Sequence, residues 1–438
     1  MSWARAPPSH RPCLLGAASG TGHAASGARS ATGGPFVPVL PPPTGRHRTG
    51  RTQVHLRDDS RADPWKPGRA RELMVTLTYP TVATGLGRPR PRWLSRAHAD
   101  ELARGGVGVL GLPRGAVDWR GIRVNAVGDA PVLRPRGGLP VVILMAGALM
   151  HRAETVLHAE ELASHGYLVA QPDFTYETPA VEFPGGRVLK AVIKEFHEYE
   201  DADLKRMIQA RVDDTESLLD ALGRLHRGHR ADASGRRVPE GFAGALDLDR
   251  VGAGGHSAGG FATGEAMHAH RRIRAGANLD GMLYHSANPQ NADGWVFGDS
   301  GREGLADDQA FLLLGSEWAA PPPVDRPSPN SHVNDEFLGS WKSFWAAHRG
   351  WKRDFTLKGS RHNTFVTAAP VHHQLVDGVG LAPERLTPFL GTTPPDRATR
   401  AQRALLTAFF DHHLRDRPDP GGLLDGDTAG YPDLIHVP

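Results

Sequence analysis

The sequence predicts an α/β chain, a mainly parallel central sheet flanked by helices. Three observations carry that expectation. Short, continuous apolar runs of the kind buried inside parallel sheets recur at residues 139–145, 167–172, 273–280 and 311–316. Amphipathic segments at 154–164, 208–225 and 399–414 alternate with them. Finally, residues 246–261, LDLDRVGAGGHSAGGF, pass from an apolar strand into a helix through one tight, small-residue turn. Strands and helices in this alternation build a three-layer sandwich.

Residues 1–40 are rich in Ala, Gly, Ser, Pro and Arg without any period, and Pro41-Pro42-Pro43 ends the stretch. A disordered tail is expected there, with one catalytic domain over 41–438. Residues 52–58 (TQVHLRD) and 72–80 (ELMVTLTYP) read as two strands joined through Pro64, Pro67 and Gly68, an N-terminal antiparallel pair. A short helix is expected over 95–103. LPVVILM (139–145) is the first fully buried strand, and Gly147 ends it. A helix over 154–164, capped by Gly166, and a strand over 167–172 complete a βαβ unit. Residues 173–206 are an insertion rich in Tyr, Phe, Glu and His, either a cap over the site or a surface excursion. The helix over 208–225 and a polar loop over 228–244 lead to the strand before the tight turn. Beyond it come strands at 273–280 and 311–316, a helix at 340–348, a last strand at 353–358 and a closing helix at 399–414. That last helix turns Leu405, Leu406, Phe409 and Phe410 inward.

The turn itself is Gly255-His256-Ser257-Ala258-Gly259, a G-x-S-x-G motif in its required strand, turn and helix context. Gly254 and Gly255 are expected to stop the strand. A Cβ two residues before or after Ser257 would strike the neighbouring strand or helix. The turn leaves the Ser257 hydroxyl clear of the backbone, with a helix N-terminus behind any negative charge that develops there.

A serine hydroxyl is a poor nucleophile at neutral pH, so Ser257 calls for a base and an acid that orients it. The acid belongs at a strand end after the turn, where Asp280 and Glu317 both qualify. The base belongs beyond the last strand, where His362 sits in KGSRHNTF. His348, His372, His373, His412 and His413 read as solvated helix or loop residues, and His256 as structural. A tetrahedral intermediate needs two backbone N–H donors. Ala258 supplies one and Ala148, just beyond LPVVILMAG, is best placed for the other.

Composition sets the outer bounds. Of 438 residues, 39% are apolar and 23% charged, enough to bury a sizeable core and too little charge for a disordered chain. The net charge of +3 comes without a basic face interleaved with aromatics, so no nucleic-acid partner is expected. The single cysteine, Cys13, permits no intrachain disulfide. No apolar run approaches the roughly 18 residues of a membrane span. The first 31 residues have too weak an apolar core for a signal peptide. The chain therefore reads as cytoplasmic as written, or secreted if the true start exposes an export signal. Paired histidines such as His372-His373 lack the spaced partners a metal needs, so no metal and no cofactor are expected.

Several segments in one order, ELASHGYLVAQPD, RVDDTESLLDAL, ALDLDRVGAGGHSAGG, GANLDGML, FLLLGSEW and KGSRHNTF, resemble the platelet-activating-factor acetylhydrolases. PTGRHRTGRTQVHL and RELMVTLTYP extend the resemblance toward the N-terminus, so that it runs from about Leu40 to the end of the chain. It implies the α/β-hydrolase fold and a serine esterase or lipase working on a small-molecule or lipid ester without a cofactor. It also implies Ser257 as nucleophile, Asp280 as acid and His362 as base. One departure is Ala146-Gly147 where many members of the family carry His-Gly. A lipase or polyester hydrolase with an open groove, and a catalytically silent binding protein on the same fold, are the competing expectations.

Overall fold

The computed structural model describes residues 33–83, 87–193, 200–285, 296–318, 327–334 and 339–438. The chain opens with β1 (Arg48–Ala62) and β2 (Ala70–Thr81), an antiparallel pair in register from Arg48↔Thr81 to Asp58↔Arg71. The turn between them is closed by Asp63, whose carboxylate accepts from the Trp65 and Lys66 N–H groups and from Arg71 Nη1. Next come α1 (Arg96–Gly108), the two-residue β3 (Val127–Gly128) and β4 (Leu139–Met145), all seven of whose residues are buried. A 3₁₀ turn (Arg152–Thr155) then leads into α2 (Val156–Ser164) and β5 (Leu168–Phe174).

A small hairpin follows, β6 (Ala180–Glu182) and β7 (Val188–Lys190), and then the long α3 (Asp201–His226). The remaining chain alternates through β8 (Leu246–His256), α4 (Ala258–Ala269), β9 (Ile273–Leu279), α5 (Asp299–Glu303), β10 (Ala310–Trp318), α6 (Ser340–Ala347) and β11 (Lys352–Arg361). It closes with α7 (Ala368–Val379), α8 (Thr387–Leu390), α9 (Pro395–Arg415) and β12 (Leu434–Val437).

The main sheet runs in the order β12-β11-β10-β9-β8-β4-β5-β2-β1-β3. β5, β4, β8, β9, β10 and β11 are parallel, while β2 and β12 join them antiparallel. The fold is therefore the expected one, a mostly parallel sheet with an antiparallel N-terminal pair. One apolar layer packs α3, α4 and α6 on one face of the sheet; a second packs α2 and α9 on the other. Leu405, Leu406, Phe409 and Phe410 all lie in the second layer, as the period of α9 requires. A third cluster gathers α1, residues 110–126 and α7 beside the sheet.

Three expectations need correction. The tail read as disordered to residue 40 is ordered from residue 33, because Phe36 bridges to Val117 and Leu40 is buried in the third cluster. Residues 1–32 lie outside the described residues, as do Phe196 and Tyr199 of the insertion. Within that insertion, left open between a cap and a surface excursion, the hairpin packs Val181, Phe183 and Leu189 onto Met74 of β2. His348, read as solvated, is buried and accepts from the Leu305 N–H at 3.3 Å. Lastly, β8 runs through both Gly254 and Gly255 to His256, so the strand ends one residue before Ser257.

One buried acid gives the fold a pH dependence. Glu154, in the 3₁₀ turn, accepts from the Ala368 N–H at 2.9 Å and its own carbonyl accepts from the Thr367 N–H at 2.8 Å, tying that turn to α7. Burial pushes its carboxyl up to about 7 from 4.5, against the smaller opposing effect of the Ala368 hydrogen bond. A raised folded-state value means that this contribution to stability is complete below the unfolded value and is lost as pH rises through about 7. Glu154→Gln, which keeps a carbonyl acceptor for Ala368 and cannot ionise, should exceed the parent in stability by about 1–3 kcal/mol at pH 8. Thermal melts at pH 8 and pH 4.5 check this, since the gap must close at the acid end. An equal gap at both pH values would rule Glu154 out as its source.

Candidate active site

The site is built at the C-terminal ends of the parallel strands, where β8 hands over to α4. Ser257 occupies that corner with φ 55° and ψ −124°, a conformation costly for any residue with a side chain. It is held because its N–H donates to the Leu279 carbonyl at 2.9 Å and its carbonyl accepts from Gly260 and Phe261. The close approach dictates glycine on either side. A Cβ on Gly255 would lie 2.4 Å from the Gly259 carbonyl carbon, and one on Gly259 would lie 2.2 Å from the Met145 oxygen. Ser257 itself is half-buried. Ala258 is the first residue of α4, so its N–H has no acceptor within the helix.

Asp280 follows β9 directly, again at positive φ (58°), and is 2% exposed. Its Oδ2 lies 2.6 Å from His362 Nδ1. Its other contacts come from the end of β10 and the segment after it: Ser316 N at 2.8 Å, Ser316 Oγ at 2.9 Å and Asn330 Nδ2 at 3.2 Å. These contacts fix the direction of the Asp280 carboxylate. The second candidate acid, Glu317, points elsewhere; its Oε2 accepts from the Gly359 N–H at 2.7 Å. Residues 319–326, directly after β10, lie outside the described residues.

His362 stands at the end of β11 with its side chain 45% exposed, accessible to a substrate. Its carbonyl lies 2.8 Å from His256 Nε2, and the two rings are 4.5 Å apart. Because His256 adjoins Ser257 in the chain, this contact fixes the His362 loop against the serine corner. Burial, and secondarily the proximity of His362, hold His256 well below the usual imidazole range, so it acts as a neutral donor. Sequence reading assigned His256 a structural part; its partner could not be foreseen.

The loop after β4 also runs beside Ser257. A Cβ on Gly147 would come within 3.1 Å of His256 Nδ1 and 3.3 Å of Ser257 Cβ, so this loop lies directly against the serine. Ala148 follows it and is buried. Ser316, Asn330 and Arg211 are the site residues that sequence reading missed. Arg211 alone left a signal there, as a charged residue in phase with Ile208, Leu218 and Leu222 on the inward stripe of α3. Among the described residues no cluster of three His, Cys, Asp or Glu side chains is placed to hold a metal ion, and no helix is long and apolar enough to cross a membrane.

The chain is similar over nearly its whole length to a solved ferulic acid esterase from Streptomyces cinnamoneus. The two are 32% identical with a TM-score of 0.68, and the match covers 92% of this chain and 99% of the other. The chain belongs to the α/β-hydrolase esterases. A protein of Arthroderma benhamiae described as a probable 1-alkyl-2-acetylglycerophosphocholine esterase is 23% identical over 416 residues, covering 91% of this chain and 94% of that one. No family model matches. The esterase is thus a serine carboxylic ester hydrolase with a platelet-activating-factor-acetylhydrolase-like sequence, and neither the open-groove lipase nor the silent binding fold is favoured by these relatives.

Proposed function

We propose that this esterase cleaves short-chain or lipid-like carboxylic esters through an acyl-enzyme on Ser257, with His362 as base, Asp280 as orienting acid, and the N–H groups of Ala148 and Ala258 as oxyanion donors. The observation that carries the reading is the 2.6 Å contact between Asp280 Oδ2 and His362 Nδ1, on a loop that His256 clamps to the serine corner. In the first step Ser257 Oγ attacks the ester carbonyl carbon and passes its proton to His362 Nε2. The tetrahedral oxyanion rests on the two N–H groups, and collapse expels the alcohol, which takes the proton from His362. Water then repeats the sequence on the acyl-enzyme and frees the acid. The region 41–438 works as one catalytic unit in this scheme.

The supporting experiment is labelling with a fluorophosphonate probe. Covalent modification of folded protein, mapped to Ser257, is the expected result; intact protein that stays unlabelled would refute the nucleophile assignment. A second substrate reading, ferulate esters, is favoured by the 32% identity to the ferulic acid esterase. Comparing kcat/KM on p-nitrophenyl esters of rising acyl length, methyl ferulate and a 1-alkyl-2-acetylglycerophosphocholine separates the two. Preference for methyl ferulate over every short-chain and lipid ester would overturn the first substrate class and leave the mechanism standing.

A further inference from the structure

We infer that Arg211 is a positioning residue that aims the oxyanion N–H of Ala148, with Glu177 holding its guanidinium in place. The loop after β4 offers no side chain larger than a methyl group at Ala146, Gly147 and Ala148, so it cannot brace itself. Arg211, on α3, reaches across to it. Its Nη1 donates to the Ala146 carbonyl at 2.7 Å and its Nη2 to the Gly147 carbonyl at 3.1 Å. The residue is 1% exposed, and its guanidinium lies 4.3 Å over the Phe174 ring.

The consequence for Ala148 follows from peptide geometry. The Gly147 carbonyl and the Ala148 N–H belong to one planar, trans peptide unit and point in opposite directions. Anchoring that carbonyl on Arg211 therefore fixes the direction of the N–H. A cation on the oxygen also polarises the unit and strengthens the donor at its other end. The Met150 N–H adds a second bond to the same carbonyl at 3.2 Å, which narrows its freedom further.

Glu177 completes the arrangement. It is 2% exposed, accepts from Arg211 Nε at 3.0 Å and pairs with Nη2 as well. It lies in the turn after β5, where Tyr176 takes φ 69°, and the neighbouring Thr178 Oγ1 donates to the Met150 carbonyl at 3.4 Å. A buried carboxylate-guanidinium pair whose other two hydrogen bonds both go to one short loop beside Ser257 is more than the fold needs. Two apolar side chains would fill the same space without the desolvation cost.

This inference rests on the assignment of Ser257 and Ala148 given above, and its test separates the two. Arg211→Lys keeps the charge but cannot reach both carbonyls and both carboxylate oxygens, and Arg211→Met removes the charge. With wild type labelled at Ser257 by fluorophosphonate, Arg211→Lys is expected to lower kcat by about 10²-fold, the range for one oxyanion donor, with KM nearly unchanged. The Ki of a trifluoromethyl ketone, which forms the tetrahedral oxyanion, should rise in parallel with the fall in kcat/KM, while the melting temperature stays near that of wild type. Arg211→Met should be worse than Arg211→Lys. If the Arg211 variants do not fold, Glu177→Gln carries the test with the same readouts and a smaller loss in the same direction. A folded variant with kcat within about twofold of wild type, or a loss confined to KM, would overturn the inference and leave Ser257 standing. Wild type that resists labelling would remove both.

Discussion

Ser257→Ala is expected to lower ester turnover by about 10⁶-fold, the scale on which loss of a triad nucleophile is felt. The fold should hardly notice. Alanine occupies the same backbone conformation at φ 55° with the same Cβ, so the strain of the corner is unchanged, and the deleted oxygen is half-buried at a turn. The N–H to Leu279 and the carbonyl to Gly260 and Phe261 are backbone groups and survive. His362→Ala should be about as damaging, because members of a triad act as a unit and single losses are not additive. Steady-state turnover of an activated ester, with melting curves of the same samples, measures both effects. Folded Ser257→Ala protein that keeps even about a hundredth of wild-type turnover would mean that another nucleophile carries the reaction.

What could be read from the sequence divides along a physical line. The corner at Ser257 was legible because its constraint is local: Gly255 and Gly259 must lack a Cβ to let β8, α4 and the end of β4 meet. The strands of the parallel sheet were legible because burial on both faces writes a continuous apolar run, as in β4 and β10. Strand-end position alone left Asp280 and Glu317 open, and only the family resemblance implied Asp280, the carboxylate that His362 approaches while Glu317 turns to Gly359. Ser316 and Asn330 reach Asp280 from 36 and 50 residues away, and no periodicity records such a contact. The hairpin β6-β7 was hidden for another reason. Its three-residue strands bury only Ala180 and Val181, too short a pattern to count.

Asp280→Asn is expected to cost about 10⁴-fold in turnover with little loss of stability. The carboxylate faces donors on both sides: Ser316 N and Oγ and Asn330 Nδ2 at Oδ1, and His362 Nδ1 at Oδ2. Asparagine offers only one acceptor oxygen. With its oxygen kept toward Ser316, its NH₂ meets His362 and forces Nδ1 to accept, which puts the proton on Nε2 where Ser257 needs a base. The imidazolium that forms in the reaction also loses its counter-charge. Glu317→Gln should behave differently, because glutamine retains a carbonyl oxygen for the Gly359 N–H that Glu317 now accepts from. Its turnover should stay within about tenfold of wild type, since the change leaves the histidine tautomer alone. The pair is measured on one activated ester across pH 5–9, with melting temperatures as the control for folding. An inactive Glu317→Gln beside an active Asp280→Asn would move the acid to β10 and undo the assignment. A collapse of Asp280→Asn alone, with both proteins folded, traces the loss to the tautomer and counter-charge of His362, which Glu317→Gln leaves untouched.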